Sequence, residues 1–384
     1  MASFADYQIV LIDINTGLQL DIVTQSRFNG LTYAKVLNDT AQVQFTVPMS
    51  DQSSAYRDLD TLIEVYRRPE PNLPLRREQT YLMRYVSIYY DEATETEYIT
   101  RGGISVDDLL KCRIIFPADD PFAAGGYISY QNNAAIVMNF FVQYQMVTPL
   151  INADRAFPRM VIDPNLDLGN IIFQRRAWEN LYDVIYDCSV KGDIDFEIYR
   201  EMTSTFAPPV FHFFSHKIGL DKTVTTNIGT SDFILFAPER TNMRSPVLTL
   251  NRYEERNQVY VLGQGTQAAR EVYPQSGNTI ADSPFNRREG TTDARDISYG
   301  VLDGFITAGS AYLQDNEPNI TFDFEPDLDA PQGQYGIDWD IGYFVSVLYH
   351  DYAADYRIQK IEVTIADGDE NIKLSLLKKS QFES

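Results

Sequence analysis

The chain has 384 residues, with 54 acidic and 32 basic side chains and a formal net charge of −22 at pH 7. This acidic excess argues against binding to nucleic acid or to an anionic membrane surface, because both require basic residues facing phosphate. The acidic excess is compatible with a surface that resists non-specific association and with a surface that lets a polyanion slide past. The composition alone does not distinguish between these two interpretations. The length predicts two or three domains, and the 25 Tyr and 22 Phe favour strands.

The first part of the chain predicts an antiparallel β-domain. Residues 7–14 and 18–23 flank the turn Asn15-Thr16-Gly17, which is a hairpin pattern. Further strands are predicted at residues 41–48, 61–68, 81–90 and 95–103. A short helix over residues 104–112 closes this small barrel, so the first domain is predicted to end near Cys112.

The middle of the chain predicts mixed α and β structure. Prolines and a Gly-Gly pair interrupt residues 114–130, which is typical of a loop at a domain boundary. Apolar residues at helical spacing then predict three helices, at residues 132–146, 175–192 and about 293–314. The expected helix ends are Asn132 or Asn133 as the first N-cap, Gly192 as the stop of the second helix, and Asp293 as the third N-cap. The apolar stripe of the second helix is predicted to contain Trp178, Leu181, Tyr182 and Ile185. That of the third helix is predicted to contain Ile297, Val301, Phe305 and Tyr312.

The C-terminal part predicts a second β-domain. Ile194, Phe196 and Ile198 alternate with polar residues and predict a strand over residues 192–201. Further strand-like runs occupy residues 257–265, 320–326, 343–350, 356–368 and 370–379. No tandem sequence repeat is evident.

Two histidines stand at a spacing that zinc sites use. His212 and His216 would share one face of a helix, as a pair of zinc ligands requires. The segment is short, follows two prolines and lacks the intervening Glu of the metalloprotease helix, and on a strand the shared face implies no ligand geometry. We therefore predict no metal site, and His350 is the only other histidine available for catalysis.

Residues 263–270 resemble a phosphate-binding glycine loop, because Gly263 and Gly265 permit close backbone approach and Arg270 is able to pair with an anion. The third glycine and the lysine of such loops are missing, and no convincing helix follows. A turn or bulge, with Arg270 in an ion pair, is the preferred interpretation.

Features that would indicate secretion or a membrane span are not predicted. The N-terminus lacks a basic region followed by an apolar core, and no apolar run approaches the roughly 18 residues of a spanning helix. Cys112 and Cys188 give neither a disulfide nor a zinc pattern, and we expect buried thiols.

Two aspartates flank a tryptophan in the stretch GIDWDIG. If this stretch is extended, Asp338 and Asp340 point the same way and away from the side of Trp339, where they would repel each other without a basic partner. Gly342 then bends the strand. We predict that both carboxylates face solvent or a channel and that Trp339 packs beneath them.

The order and spacing of these elements resemble the central hub proteins of phage tail tips and baseplates, in particular the siphophage version, over nearly the full length. The segments that carry the resemblance are residues 26–48, 84–115, 176–185, 257–272, 287–298 and 335–377. Residues 214–242 are less similar to the family than their neighbours.

The resemblance implies a mostly β fold with an α+β insertion: two antiparallel β-barrels of the tail-tube type and a lateral α/β domain, assembled as a trimeric ring. The implied domains are the first barrel at residues 1–112, the lateral domain at 113–190 and 255–318, and the second barrel at 191–254 and 319–384. Such a ring adapts the six-fold tail tube and distal tail ring to the three-fold tip and forms part of the DNA ejection channel.

The partners implied by the resemblance are other copies of the chain, the distal tail protein ring, the C-terminus of the tape measure protein, and tail-tip fibre or spike proteins. DNA passes through without specific binding, and this chain is not inserted into a membrane. The implied location is the tail tip of the virion, after synthesis in the host cytoplasm. No enzymatic activity, catalytic residue, metal or cofactor is implied.

Two alternatives come from other classes of protein. The aromatic content also suits a receptor-binding or carbohydrate-binding β-rich virion protein, and the many carboxylates suit a hydrolase. Neither alternative explains a barrel, a lateral domain and a second barrel in that order.

Overall fold

The computed structural model describes residues 5–157, 159–202, 207–230, 232–266, 269–277, 285–295, 297, 300, 302–330, 332–366 and 368–378. The chain divides into two compact units. Unit 1 comprises Met1–Pro246 and Asp323–Leu376, and unit 2 comprises Val247–Phe322 and Leu377–Ser384. The fold is mostly β, which confirms the predicted class. The division into three domains stays a prediction.

The N-terminal part of unit 1 consists of strands, as its alternating sequence predicts. They are β1 (Asp6–Ile12), β2 (Gln19–Thr24), β3 (Gly30–Val36), β4 (Gln42–Pro48), β5 (Leu62–Arg68), β6 (Arg76–Asp91) and β7 (Thr96–Ser105). In β4 the alternate residues Val43, Phe45 and Val47 are buried, because one face of the strand packs on the core. A 3-10 helix at Val106–Leu110 follows β7, where the sequence predicts a short helix.

The middle of unit 1 contains two helices and two small sheets. Its elements are β8 (Ile128–Asn133), α1 (Ala134–Val142), β9 (Met160–Ile162), β10 (Ile171–Arg176), α2 (Leu181–Gly192), β11 (Asp195–Arg200) and β12 (Phe211–His216). One sheet pairs β8 with β10, and the other has the order β11-β12-β9. Met138 and Phe141 of α1 share a buried core with Val184 and Ile185 of α2.

The predicted start of the second helix is wrong. Residues 175 and 176 belong to β10, which pairs with β8, and α2 begins only at Leu181. The side chain of Asn180 accepts a hydrogen bond from the N–H of Tyr182 at 2.9 Å, and this cap fixes the start. Trp178 therefore lies before the helix, exposed and with a φ of 64°, and does not join its apolar stripe.

The N-cap position of α1 is the predicted one, whereas its side-chain contact and the end of α2 differ from the prediction. Asn133 occupies the N-cap position of α1, but its side chain donates to the carbonyl of Gly169 instead of capping the helix. The left-handed residue after α2 is Asp193, with a φ of 48°, and Gly192 is the last helical residue. A Cβ at Gly192 would lie 2.1 Å from Cβ of Ala134, so this glycine permits close helix packing.

The remaining strands complete unit 1 and build unit 2. They are β13 (Leu235–Phe236), β14 (Met243–Asn251), β15 (Gln258–Leu262), β16 (Val272–Ser276), β17 (Glu289–Asp293), β18 (Asn319–Pro326), β19 (Phe344–Tyr349), β20 (Tyr352–Ala366) and β21 (Asp369–Lys378), with α3 (Leu302–Asp315) before β18. The chain leaves unit 1 within β14 and returns within β18, so unit 2 is inserted between these two strands.

Unit 2 packs α3 against a three-stranded sheet of order β16-β15-β17. Phe305 of α3 is buried against Val259 and Val261, as its place in the predicted stripe requires. Asp293 is not the N-cap of this helix, because it ends β17, where it pairs with Leu262 of β15. Val301, also placed in the stripe, lies outside the described residues.

Candidate functional site

One sheet contains the same strand order twice. Its thirteen strands follow the path β14-β18-β21-β20-β3-β4-β7-β6-β5-β1-β2, with β13 and β19 off this path. We call β3-β4-β7-β6 set A and β14-β18-β21-β20 set B. In set A, β3 lies beside β4, and the β6–β7 hairpin follows with β7 next to β4. In set B, β14 lies beside β18, and the β20–β21 hairpin follows with β21 next to β18. Set A and set B are therefore arranged alike and lie edge to edge.

The long strands β6 and β20 occupy the same place in their sets, and the first half of each pairs with the strand that precedes it in the chain. The first half of β6 pairs with β5, from Arg76 to Leu82, and the first half of β20 pairs with β19. Their second halves differ. Residues 360–366 of β20 pair antiparallel with residues 30–36 of β3, which joins set B to set A. Among the described residues, 84–91 of β6 have only β7 as a strand neighbour.

The groove on the outer side of set A is mostly uncharged. It has a volume of about 800 Å³ and crosses β20, β3, β4 and β7, and two of the residues lining it, Arg84 and Asp108, are charged. Its uncharged polar side chains are Thr32, Gln42, Gln44, Thr46 and Thr364, and the ion pair of Lys360 with Glu362 stands on the same face of β20 as Thr364. Surface threonine and glutamine side chains hydrogen-bond to water and carry no charge that attracts or repels phosphate.

Beneath this sheet, Asp340 lies in an ion-pair cluster. Its Oδ1 accepts from Lys35 Nζ at 2.7 Å, and its Oδ2 accepts from Arg76 Nη2 at 2.9 Å. Arg76 also donates to Glu78 at 2.8 Å. Burial opposes ionisation, but Lys35 and Arg76 outweigh it and hold the pKa of Asp340 below its usual range.

The prediction that Asp338 and Asp340 point the same way, towards solvent or a channel, is therefore wrong. Residues 336–338 form a turn, in which Gly336 has a φ of 80° and its N–H donates to the carbonyl of Trp339. This turn sends Asp338 to the backbone N–H of Gln334 at 2.9 Å, while Asp340 faces the basic side chains. Trp339 is 1% exposed, so the predicted packing of the tryptophan is confirmed.

A second buried ion pair joins strands from the two ends of the chain. Arg67 of β5 donates to both carboxylate oxygens of Glu370 in β21, at 2.8 and 3.1 Å, and to the carbonyl of Tyr335 at 2.8 Å. The two charged side chains are 2% and 3% exposed. The hydroxyl of Tyr7 donates to Glu370, and burial followed by the nearby carboxylate raises the pKa of this phenol.

Sequence reasoning missed these basic partners, although a signal for them exists. Lys35 follows Leu31 and Tyr33 at period two in β3, and Arg67 follows Ile63 and Val65 in the same way in β5. A charged residue at a core-facing position of a strand predicts a buried partner, because an unpaired charge there is very costly.

Two further buried carboxylates, one in β5 and one in the 3-10 helix after β7, tie the N-terminal part of unit 1 to β11. Glu64 accepts from Arg200 Nε at 2.7 Å and from Arg77 at 3.0 Å, and these arginines lower its pKa although burial opposes this. Asp107 accepts from the N–H of Ile198 at 2.8 Å. Burial raises the pKa of Asp107 to about 6.

Comparisons with known proteins agree with this architecture. The family model described as Siphovirus ReqiPepy6 Gp37-like protein matches residues 16–376. The chain belongs to this family. It is a family of siphophage tail proteins, so the resemblance found in the sequence is confirmed.

Solved tail proteins share the fold over nearly the whole chain. The 43 kDa tail protein of prophage MuSo2 from Shewanella oneidensis is 12% identical, with 98% of this chain and 99% of that chain covered and a TM-score of 0.59. The tail protein from Neisseria meningitidis MC58 is 10% identical, with 98% of each chain covered and a TM-score of 0.57. Prophage tail protein gp18 from Listeria monocytogenes EGD-e is 11% identical, with 97% and 95% covered and a TM-score of 0.52. No curated protein matches the chain.

In this family member, the two candidate zinc ligands lie on strand β12 rather than on a helix. Nδ1 of His212 is 2.6 Å from Asp163, and Nε2 of His216 is 3.7 Å from Glu197. Within the described ranges, no group of three or more His, Cys, Asp or Glu side chains is placed to hold a metal ion.

The glycine-containing segment lies in the hairpin turn between β15 and β16. The N–H of Gly263 donates to the carbonyl of Glu271 at 2.8 Å, and residues 267–268 lie outside the described part. Arg270 donates to Asp293 at 2.8 Å, which confirms the predicted ion pair.

The two cysteines have different environments. Cys188 is buried in α2, and burial raises the pKa of its thiol. Cys112 is exposed, so the expectation of a buried thiol is wrong at this position, which follows the 3-10 helix on the surface. None of the described helices combines the length and apolarity that a membrane span requires.

Proposed function

We propose that the protein is a structural subunit of the phage tail tip and assembles as a homotrimeric hub. The observation that supports this most directly is the repeated strand order, because set A and set B place two similar sheets side by side in one chain. Three copies would present six similar sheets around one axis. Such a ring adapts the six-fold tail tube and distal tail ring to a three-fold tip.

Each set belongs to one tail-tube-like barrel in this proposal. Set A with β5, β1 and β2 forms the first barrel, over residues 1–112. Set B with β19 and β13 forms the second, from residues 191–254 and 319–384. The lateral domain then consists of residues 113–190 and 255–318. The insertion of unit 2 between β14 and β18 supports a second barrel made from separate parts of the chain.

In this assembly, the mostly uncharged groove that crosses β20, β3, β4 and β7 lines the DNA ejection channel. A passing polyanion is retained by fixed basic side chains, because each neutralised phosphate adds affinity through counterion release. Thr32, Gln44 and Thr364 offer no such charge. The overall charge of −22 acts in the same direction by opposing non-specific binding of DNA.

The partners we propose are the distal tail protein ring on one side of the hub and the tail-tip fibre or spike proteins on the other, with the C-terminus of the tape measure protein at the channel. The location is the tail tip of the virion. We propose no enzymatic role and no cofactor, because the buried carboxylates are engaged in ion pairs and backbone hydrogen bonds.

The carbohydrate-binding alternative receives less support from the aromatic residues. The largest fully buried side chains include Tyr7, Tyr33, Tyr81, Tyr335 and Trp339. These rings fill the core and are not available to stack against sugars.

Cryo-electron microscopy of intact virions tests the proposed function. We expect a three-fold ring on the tail axis, below the tube, whose subunits fit this fold. Gold-labelled antibodies raised against this chain should bind only at the tail tip, and antibodies against a capsid protein serve as the control. Labelling off the tail axis, or a single copy per virion, would contradict the proposal.

A further inference from the structure

The strand order assigns a specific junction between neighbouring copies of this chain. We propose that the second half of β6 in one copy pairs antiparallel with β14 of the next copy. This inference rests on the ring proposed above and names the two strand edges that close it.

The junction inside the chain provides the template. Residues 360–366 of β20 pair with residues 30–36 of β3. β20 and β6 hold the same place in their sets, and so do β3 and β14. The pairing of β20 with β3 within one chain therefore corresponds to a pairing of β6 with β14 of another chain.

Strand directions agree with this assignment. β3, β4, β7 and β6 pair antiparallel in succession, so β6 runs opposite to β3. β20 also runs opposite to β3, and β6 and β20 therefore point the same way. A β14 strand oriented like β3 would then meet β6 in an antiparallel ladder, with the same geometry as the internal junction.

Both edges are open in the described structure. β14 is the end strand of the sheet path. Residues 84–91 of β6 extend past the strand β5, whose pairing stops at Leu82. An edge strand with unpaired N–H and C=O groups is a template for another strand, and natural proteins cover or protect such edges.

The side chains along both edges suit burial against a partner. Residues 85–90 of β6 and 247–251 of β14 carry no charge, although 22% of the chain is charged. Exposed apolar side chains on these edges include Tyr85, Ile88, Tyr89, Tyr90, Val247 and Leu250. Adjacent exposed apolar residues of this kind mark interaction surfaces.

The two edges differ from each other, so the contact is head to tail. A contact of this type closes into a ring when the rotation between copies divides a full turn. Pro246 lacks an N–H, and edge positions are where a strand tolerates proline. The ladder would therefore use the residues that follow it.

Charged substitutions on either edge test the junction in the full-length chain. We expect Ile88→Lys and Val247→Lys each to raise the dissociation constant of self-association about tenfold or more, because each puts a charge where an apolar side chain is buried. Sedimentation and light scattering measure the association, and circular dichroism checks that the variants fold. Ile151→Lys is the control, because Ile151 is also an exposed apolar residue but lies away from both edges.

Cysteine cross-linking provides a second measurement that does not depend on weakened association. In a Cys112→Ser background, a chain carrying Tyr89→Cys is mixed with chains carrying a single cysteine at 247, 248, 249 or 250. We expect a disulfide-linked dimer for at least one of these mixtures and none when Tyr89→Cys is incubated alone.

The outcomes separate this inference from the proposed function. If the wild-type chain forms a ring, unchanged association of both lysine variants and absence of all cross-links would overturn the β6–β14 junction and leave the hub proposal standing. A wild-type chain that stays monomeric at high concentration and is absent from the tail axis would overturn the hub proposal, and the junction with it.

Discussion

The junction between set A and set B is closed inside one chain, whereas the outer edges of the two sets are open. At the closed junction, β20 and β3 pair over seven residues of each strand. Two buried ion pairs support the ladder from below, Arg67 with Glu370 and Lys35 with Asp340, and each joins a strand of the N-terminal part to a residue of the C-terminal part.

The open edge of β6 has no comparable support among the described residues. Arg84, at the start of this edge, pairs with Asp60, and both side chains are about half exposed. Exposed pairs of this kind contribute little to stability. The comparison teaches that the same strand arrangement ends in two different ways: buried ion pairs accompany the internal junction, and uncharged apolar residues line the outer edges, which pair with other copies in the proposed ring.

Breaking the Arg67–Glu370 pair should have the largest effect on the closed junction. We expect Arg67→Met to lower the free energy of unfolding by about 3–5 kcal/mol, because the carboxylate of Glu370 is left buried without its partner. Urea denaturation monitored by tryptophan fluorescence measures this loss.

The control for this prediction uses an ion pair of similar chemistry on the surface. Lys360 and Glu362 are both about 40% exposed, and Lys360→Met should cost less than about 1 kcal/mol. Adding Glu370→Leu to Arg67→Met should restore part of the stability, since no buried charge remains. A loss below about 1 kcal/mol for Arg67→Met would show that the pair does not hold the two sets together.

Asp107 tests the contact between the 3-10 helix after β7 and β11, which lies outside the closed junction. Its folded-state pKa of about 6 is above the usual value of 3.8, so the folded protein binds more protons between these pH values. Stability from this group therefore increases as the pH falls from about 6 to about 4, by about 2–3 kcal/mol.

A variant with Asp107→Asn should lack this pH dependence. We expect wild-type stability, measured relative to the variant by urea denaturation, to rise as the pH is lowered through that range. Asp108→Asn, at the neighbouring and less buried position, is the control for the loss of one carboxylate charge. A constant difference between the wild type and Asp107→Asn at all pH values would contradict the assignment.

Much of the fold follows from local sequence patterns. Alternation predicts strand β4 because Val43, Phe45 and Val47 face the core, and helical spacing places Phe305 in the buried face of α3. Residues 175–176 show where local patterns fail: they continue a helical pattern, but pairing with β8 places them in a strand. Tertiary pairing overrides propensity at such positions.

The repeated strand order could not be predicted from the residues alone. Each strand of a set needs only alternating apolar residues and turns, so sets A and B require no common sequence and no tandem repeat. The pairing of β3 with β20 joins residues from opposite ends of the chain, and nothing local specifies it. The turn at Gly336 was also missed, and it is this turn that separates Asp338 from Asp340.

Substitutions of the two aspartates are expected to change the free energy of unfolding least. They test the Lys35–Asp340 ion pair, the second of the two that support the closed junction. Asp340→Asn should lower the free energy of unfolding by about 1–2 kcal/mol at neutral pH, because the charge-assisted bonds from Lys35 and Arg76 are lost at a site that is about one quarter exposed. Asp338→Asn should change it by less than about 0.5 kcal/mol, since no basic side chain of the described residues pairs with Asp338, which accepts from a backbone N–H.

The pH dependence distinguishes the ion pair from simple packing. Because Lys35 and Arg76 hold the pKa of Asp340 below its usual value, its contribution is fully present above about pH 4 and is lost as the pH falls through the lower folded-state pKa. The stability difference between wild type and Asp340→Asn should therefore shrink in acid, as urea denaturation at a series of pH values would show. Equal effects of the two substitutions would mean that Asp340 does not join the sets, and that the β20–β3 ladder and the Arg67–Glu370 pair close the junction without it.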